Sequence, residues 1–264
     1  MITHLVLSGG GVQGIAILGC LSQLDLSNVT ALSGCSAGAI LCTCLCVASV
    51  EEIYEMINRN ELFPDECVDI DCMFVHKGIV NPKFVLNPVS QLLLKKLGCA
   101  NPTLEELHSK CKKDLWINST NLTLQKLERF NYKTHPTMPI LTAIELSMCI
   151  PFVMKSVEYN DCVYVDGGLL EIYPIEPFLQ ENPHNVMGIL VKNDHSASPS
   201  CDLIEYAKSV VYTAINNQVK YTNENRILLN VTDGPTFTQT TPDEVDFLYT
   251  GGITAAKDWM KKHA

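Results

Sequence analysis

Residues 34–38 read GCSAG, a serine walled in by Gly34, Cys35, Ala37 and Gly38, with almost no side-chain bulk around the Ser36 hydroxyl. Ser and Gly are common turn residues, so a tight turn is one reading of the stretch. Its flanks sharpen that reading. Residues 29–33 form a short apolar run suited to a strand, and 37–50 suit a buried helix that continues through 51–58. G-x-S-x-G between a strand and a helix is the nucleophile-elbow pattern, whose turn is too sharp for side chains flanking the serine. The geometry pushes the hydroxyl out of the sheet. The helix beginning at Ala37 aims backbone N–H groups and its positive dipole end toward it.

Working outward, residues 9–14 (GGGVQG) follow an apolar strand at 3–7 and open a helical pattern over 12–24. G-x-G-x-x-G also fits a dinucleotide fingerprint, which makes an oxidoreductase an alternative. That site requires an acidic residue about 20 positions on. The place holds Leu32, Ser33 and Gly34, with Ser36 just beyond. Gly9, Gly10 and Gly11 also expose N–H groups without side-chain cover, which suits them to hold the negative oxygen of acyl transfer. Preorganised donors there are worth about 3–4 kcal/mol each.

A nucleophilic serine needs a base. The seven histidines (His4, His76, His108, His135, His184, His195 and His263) are scattered, and none lies in a local motif. His184, His195 and His263 follow Asp166 in the chain, so each could complete a Ser–His–Asp esterase. Tyr164-Val165-Asp166-Gly167-Gly168 instead places a carboxylate at a strand end before two glycines. D-G between apolar runs is also a hairpin signal. A free Asp titrates near about 3.9, so a site using Asp166 as base has to bury it or stabilise the Ser36 alkoxide by helix and loop N–H groups.

The whole chain sets outer limits. Its 264 residues, 47% hydrophobic and 18% charged, suit one α/β domain over 1–264 with a sizeable core. A net charge of −10 argues against bulk nucleic-acid binding. Twelve cysteines without a CxxC pair point to a reducing compartment rather than a disulfide scaffold or zinc ribbon. Cys42, Cys44 and Cys46 fall in an apolar run, where free cysteine acts as a small hydrophobe. Neither a charged leader nor a spanning segment is visible, so the expected location is cytoplasmic or peripheral on membranes. No ligand cluster or calcium loop stands out, so neither metal nor cofactor is expected.

Further along, 61–113 is mainly helical pattern broken by Pro64, Pro82, Pro88 and Pro102. Residues 115–124 and 125–132 look like strands, and 139–149 like a helix ending at Pro151. Residues 163–165 and 186–191 are strand-like, 203–219 form a long amphipathic helix, 227–231 a last strand and 253–263 a last helix.

Three stretches in order (GGGVQG at 9–14, GCSAG at 34–38, DGG at 166–168) resemble the patatin-like phospholipases. Ser147-Met148-Cys149-Ile150-Pro151 looks like the family's segment ahead of the DGG, and 247–260 resembles its closing helix. The resemblance implies a three-layer α/β/α sandwich with a mainly parallel sheet and a Ser–Asp dyad. Carried over by position, Ser36 is the nucleophile, Asp166 the base, and Gly10 and Gly11, helped by the Gly9 turn, form the oxyanion hole. Gly14, Gly34, Gly38, Gly167 and Gly168 complete the motifs. It also implies hydrolysis of fatty-acyl esters of phospholipids or other glycerolipids through an acyl-enzyme, without a metal. Val12 and Gln13 stand where members often carry a basic residue. Glu171-Ile172-Tyr173-Pro174 lacks the Asn common before the Pro that follows DGG.

The lipid partner raises a question of charge. Residues 83–113 hold six Lys and two Glu, or +4, which leaves −14 on the rest of the chain. Phe84, Val85, Leu86, Leu92, Leu93, Leu94 and Leu97 interleave there with Lys95, Lys96, Lys110, Lys112 and Lys113. Such a helix packs its leucines into the core or lies in a headgroup plane.

Overall fold

The computed structural model describes residues 1–59, 76–193, 198–201, 203–216, 223, 225–231 and 241–263. Pro64, His195 and the expected helical residues 217–219 lie outside them.

The chain starts with β1 (His4–Leu7), α1 (Gly14–Leu21), β2 (Ala31–Gly34) and α2 (Ala37–Leu45). The helix expected over 37–58 is two helices. The first ends at Leu45, and Ser49 caps α3 (Val50–Arg59): its hydroxyl accepts the Glu52 N–H at 3.3 Å, while the Glu52 carboxylate accepts the Ser49 N–H at 3.1 Å. This reciprocal box satisfies two N–H groups that no helical carbonyl can reach. α4 (Lys83–Leu97) runs through Pro88, which was expected to break it, and α5 (Leu104–Cys111) follows from a second box at Thr103 and Glu106.

The sheet is completed by β3 (Asp114–Asn121), β4 (Lys126–Phe130), β5 (Val157–Tyr159), β6 (Cys162–Asp166), β7 (Val186–Asn193) and β8 (Arg226–Val231). β5 was not foreseen. It pairs with β6 across Asn160 and Asp161, whose φ values of 49° and 59° are the left-handed pair a tight hairpin needs. Between strands lie α6 (Ile140–Met148), the short α7 (Gly168–Glu171) and α8 (Leu203–Asn216). α9 (Pro242–His263) starts eleven residues earlier than expected (253 − 242), at a third box made by Thr241 and Glu244.

The strand order is β5-β6-β3-β2-β1-β7-β8, with β4 on β3. β3, β2, β1, β7 and β8 run parallel, while β4 and β6 are antiparallel to β3. Alternation along the central strands supplies two cores. Leu5, Leu7, Leu32, Met187 and Ile189 face the cluster built with α1, α2, α4 and α6. Val6, Ala31, Val186 and Leu190 face Ile172, Tyr173, Phe178 and the Val211–Tyr212–Ile215 side of α8. Both faces of the sheet are therefore covered, giving three layers, as parallel sheets require.

α1 and α9 cross at bare backbone. A Cβ at Gly19 would overlap the Tyr249 carbonyl, and one at Gly252 the Ala16 carbonyl, while the Cys20 thiol donates to the Gly252 carbonyl at 3.1 Å.

Candidate active site

β3 brings the two halves of the site together. Its first residues pair with β2, ending with Gly34 opposite Ile117. Its later residues pair with β6, starting with Asp166 opposite Ser119. β4 occupies the other flank, opposite β2 at Ile117 and opposite β6 at Ser119, Thr120 and Asn121, so β2 and β6 share one flank and point at each other. Only Asn118 separates their ends along β3. A serine just past one strand and an aspartate at the tip of the other must then meet.

The elbow itself is tight. Ser36 has φ 52°, a left-handed conformation that strains a non-glycine residue by about 1–3 kcal/mol. A Cβ at Gly34 would overlap the Gly38 carbonyl, and one at Gly38 the Leu7 carbonyl. That is why both flanks of the motif are glycine. The Ser36 N–H donates to Ser147 Oγ at 2.9 Å, which ties the strained residue to the end of α6.

Asp166 is buried, with a relative exposure of 2%. Burial pushes its carboxyl up to about 6, against the pull of hydrogen bonds from the Ser36 side chain, the Gly168 N–H and the Cys35 thiol. Its Oδ1 accepts the Gly168 N–H at 2.7 Å and the Cys35 thiol at 3.7 Å. A Cβ on Gly168 would stand 3.0 Å from that oxygen, and one on Gly167 2.6 Å from the Asn118 carbonyl.

The glycine loop lies against Ser36: a Cβ on Gly9 would stand 3.3 Å from that of Ser36, and one on Gly14 2.9 Å from that of Ala37. The Gly9 N–H is committed to the Ile172 carbonyl at 3.1 Å, so Gly9 anchors the loop. Ser8 braces it from behind, donating to the Gly9 carbonyl at 2.8 Å while accepting the Val191 N–H at 2.9 Å. Gly11 takes φ 55°, and among the described residues the N–H groups of Gly10 and Gly11 meet no acceptor.

The segment that follows Asp166 is fixed through Glu171. Arg129 donates to both its carboxylate oxygens at 2.9 and 2.8 Å, and Asn118 donates to its carbonyl at 2.7 Å. The segment after Asp166 is thus held to β3 and β4 by charge. Ser147 sits in a stretch quoted for the resemblance; Ser8, Asn118, Arg129 and Glu171 carried no local signal.

Ser36 opens into a pocket between α1, α2, α3, α4 and the end of α6. Val12, Ile40, Ile53, Val89, Met148 and Met154 are among its lining residues, and among the described residues Ser36 is the one lining residue with a polar side chain. The helix at 83–97 is part of this wall. Val85, Leu86, Leu92 and Leu93 are buried, Phe84 and Leu97 pack on the core, and only Leu94 of those interleaved apolar residues is exposed. Lys96 pairs with Glu52, and Lys110 and Lys113 donate to the Leu97 and Leu45 carbonyls. The stretch is a core helix rather than an apolar face offered to a headgroup plane.

Of the candidate histidine bases, the two that are described lie elsewhere. His184 precedes β7, at the end of the sheet opposite Ser36, and His263 stacks on Trp259 at the end of α9. The place for a dinucleotide acid is the buried Leu32–Gly34 end of β2. Among the described residues no three His, Cys, Asp or Glu gather into a metal-binding group.

Comparison with known proteins accords with this layout. Residues 5–179, two thirds of the chain and all the glycine motifs, match the family described as Patatin-like phospholipase. The chain belongs to that family. This patatin-like chain is 26% identical over 242 residues to "Probable lipid hydrolase 463L" of Invertebrate iridescent virus 6, covering 86% of the chain and 78% of that relative. It is 30% identical over 201 residues to "Uncharacterized protein R571" of Acanthamoeba polyphaga mimivirus, covering 73% of the chain and 66% of that protein's length. Among solved structures, VipD from Legionella pneumophila superposes with a TM-score of 0.65 at 19% identity, over 99% of this chain and 67% of that one, a likeness of fold.

Proposed function

We propose that the protein hydrolyses fatty-acyl esters of phospholipids or other glycerolipids, taken from a membrane or micelle surface, with Ser36 as nucleophile and Asp166 as base. The Asp166 carboxylate accepts the Ser36 Oγ proton as Oγ attacks the acyl carbonyl. The N–H groups of Gly10 and Gly11 receive the oxyanion, which the strained elbow holds against the glycine loop. As the intermediate collapses, the C–O bond to the glycerol moiety breaks and Asp166 returns the proton to the departing alcohol. Water, deprotonated by Asp166, then attacks acyl-Ser36, and the fatty acid leaves as Ser36 regains its proton. A carboxyl pushed up to about 6 by burial is a better match to this duty than a free one.

The observation that carries the reading is that, among the described residues, Ser36 is the one polar side chain on an otherwise apolar pocket. A site of that kind binds an alkyl chain and offers nothing to a phosphate, which supports selection by acyl chain over headgroup. Phe152, half exposed at φ 67° beside the cavity-lining Ile150, supports approach to a lipid surface from that side. A kinetic series of p-nitrophenyl esters tests the reading. kcat/KM should climb with acyl length, and Val89→Phe should cut the long-chain value roughly tenfold while sparing the short-chain one. Absence of ester turnover at every length would refute it.

A further inference from the structure

An oxyanion hole needs two backbone N–H groups aimed at one point, and glycine is the residue least able to hold an aim by itself. Gly9, Gly10 and Gly11 in succession therefore need their peptide planes fixed from outside. Holding a carbonyl does this, because a trans peptide is planar and its N–H points away from its C=O. The Gly10 N–H shares a plane with the Gly9 carbonyl, and the Gly11 N–H shares one with the Gly10 carbonyl.

Both carbonyls are held. The Gly10 carbonyl accepts the Gln13 N–H at 3.0 Å, a bond of the single turn before α1. The Gly9 carbonyl accepts from a side chain, the Ser8 hydroxyl, at 2.8 Å. Ser8 is fully buried, and its N–H continues the β1 ladder to the Ile189 carbonyl of β7 at 3.1 Å. The next bond of a parallel ladder would run from the Val191 N–H to the Ser8 carbonyl. Ser8 Oγ takes that N–H instead, at 2.9 Å. The Ser8 carbonyl is turned toward the elbow, where a Cβ on Gly38 would stand 2.6 Å from it. Val191 also packs on the loop, since a Cβ on Gly10 would stand 3.2 Å from its side chain.

One hydroxyl thus accepts from β7 and donates to the glycine loop, which only a group that is both donor and acceptor can do. Given acyl transfer at Ser36, on which this role rests, we propose that Ser8 is a positioning residue that aims the Gly10 N–H at the oxyanion. Through Ser8 the rigid sheet sets the direction of a donor on a flexible loop. Without the hydroxyl, the Gly9–Gly10 peptide is free to rotate as glycine permits, and the buried Val191 N–H loses its acceptor.

A long-chain alkyl trifluoromethyl ketone and the alcohol made by reducing it separate aim from fold. Ser36 Oγ adds to the ketone carbon: a C–O bond forms, the carbonyl π pair becomes an alkoxide, and the Oγ proton passes to Asp166. That alkoxide takes the place of the oxyanion, whereas the alcohol only fills the apolar pocket. Ser8→Ala should weaken ketone binding about 100-fold and leave alcohol binding within about twofold. On a long-chain p-nitrophenyl ester its kcat should fall about 100-fold with KM little changed. Ser8→Cys is close in shape, but its thiol is a weak donor and acceptor, so it should lose about tenfold on the ketone even if the Ala variant folds poorly. Full ketone affinity in Ser8→Ala or Ser8→Cys, or equal loss of ketone and alcohol, would overturn the role while leaving acyl transfer standing. A wild type that binds the ketone no more tightly than the alcohol would overturn the acyl-transfer reading, and the role with it.

Discussion

The N–H of Ser36 donates to the hydroxyl of Ser147 at 2.9 Å, and the next contacts along the chain run to Asp166. The Ser147 carbonyl accepts the Gly167 N–H at 3.2 Å, and the Cys149 carbonyl the Asp166 N–H at 2.9 Å. One helix end therefore holds the backbone on both sides of the site. Ser147→Ala should lower kcat about 10- to 100-fold with little change in KM, since small displacements of reacting groups are that expensive. Retention of Ser147→Thr activity near wild type would accompany this. An unchanged kcat in the Ala variant would show that the elbow keeps its geometry without the hydroxyl.

The pH profile should report Asp166. Burial raises its carboxyl to about 6, and the proposed base acts only when ionised. kcat should therefore rise about tenfold per pH unit below 6 and level off above it. A plateau extending down to about pH 4 would contradict this.

The same shift predicts a stability effect of definite sign. A carboxyl that titrates higher in the fold than in the unfolded chain binds its proton more tightly when folded. Its stabilising share is complete below about 3.9 and lost as pH rises through 6. Asp166→Asn does not titrate, so its stability relative to wild type should improve from pH 4 to pH 8 by about 2–3 kcal/mol. Thermal melts at the two pH values measure it. A relative gain that fails to grow with pH would show that Asp166 is not held protonated by the fold.

Arg129 holds the segment after Asp166 through a two-pronged ion pair with Glu171. Arg129→Ala leaves a half-buried carboxylate without its partner and should destabilise the chain by about 2–4 kcal/mol, with kcat falling as the loop loosens. A chemical-denaturation midpoint at the wild-type value would contradict the assignment.

The motifs at 9–14, 34–38 and 166–168 were legible because each demands glycine at a place where backbone meets backbone, a requirement visible in one short window. The carboxylate partner of Ser36 was legible for the same reason. The surrounding support was not. Ser8, Asn118 and Arg129 act across the sheet, on residues distant in sequence, and nothing near them in the chain marks that use. Element ends at Ser49 and Thr241 were written in S/T-x-x-E boxes but were overridden by the apolar run around the first and the glycines of 251–252 in the second. The basic, leucine-rich stretch at 83–113 carried a pattern that serves a core helix and an interfacial one alike; burial of Leu86 and Leu93 decides it.

The most direct test of Ser36 as the nucleophile is covalent capture. A fluorophosphonate probe with an alkyl tail should label the wild type in stoichiometric fashion, with peptide mapping placing the adduct on Ser36. Labelling should vanish in Ser36→Ala and slow by about a thousandfold or more in Asp166→Asn, in line with loss of a base that acts as a unit with its nucleophile. Undiminished labelling of Ser36→Ala, or a wild-type rate in Asp166→Asn, would contradict the account.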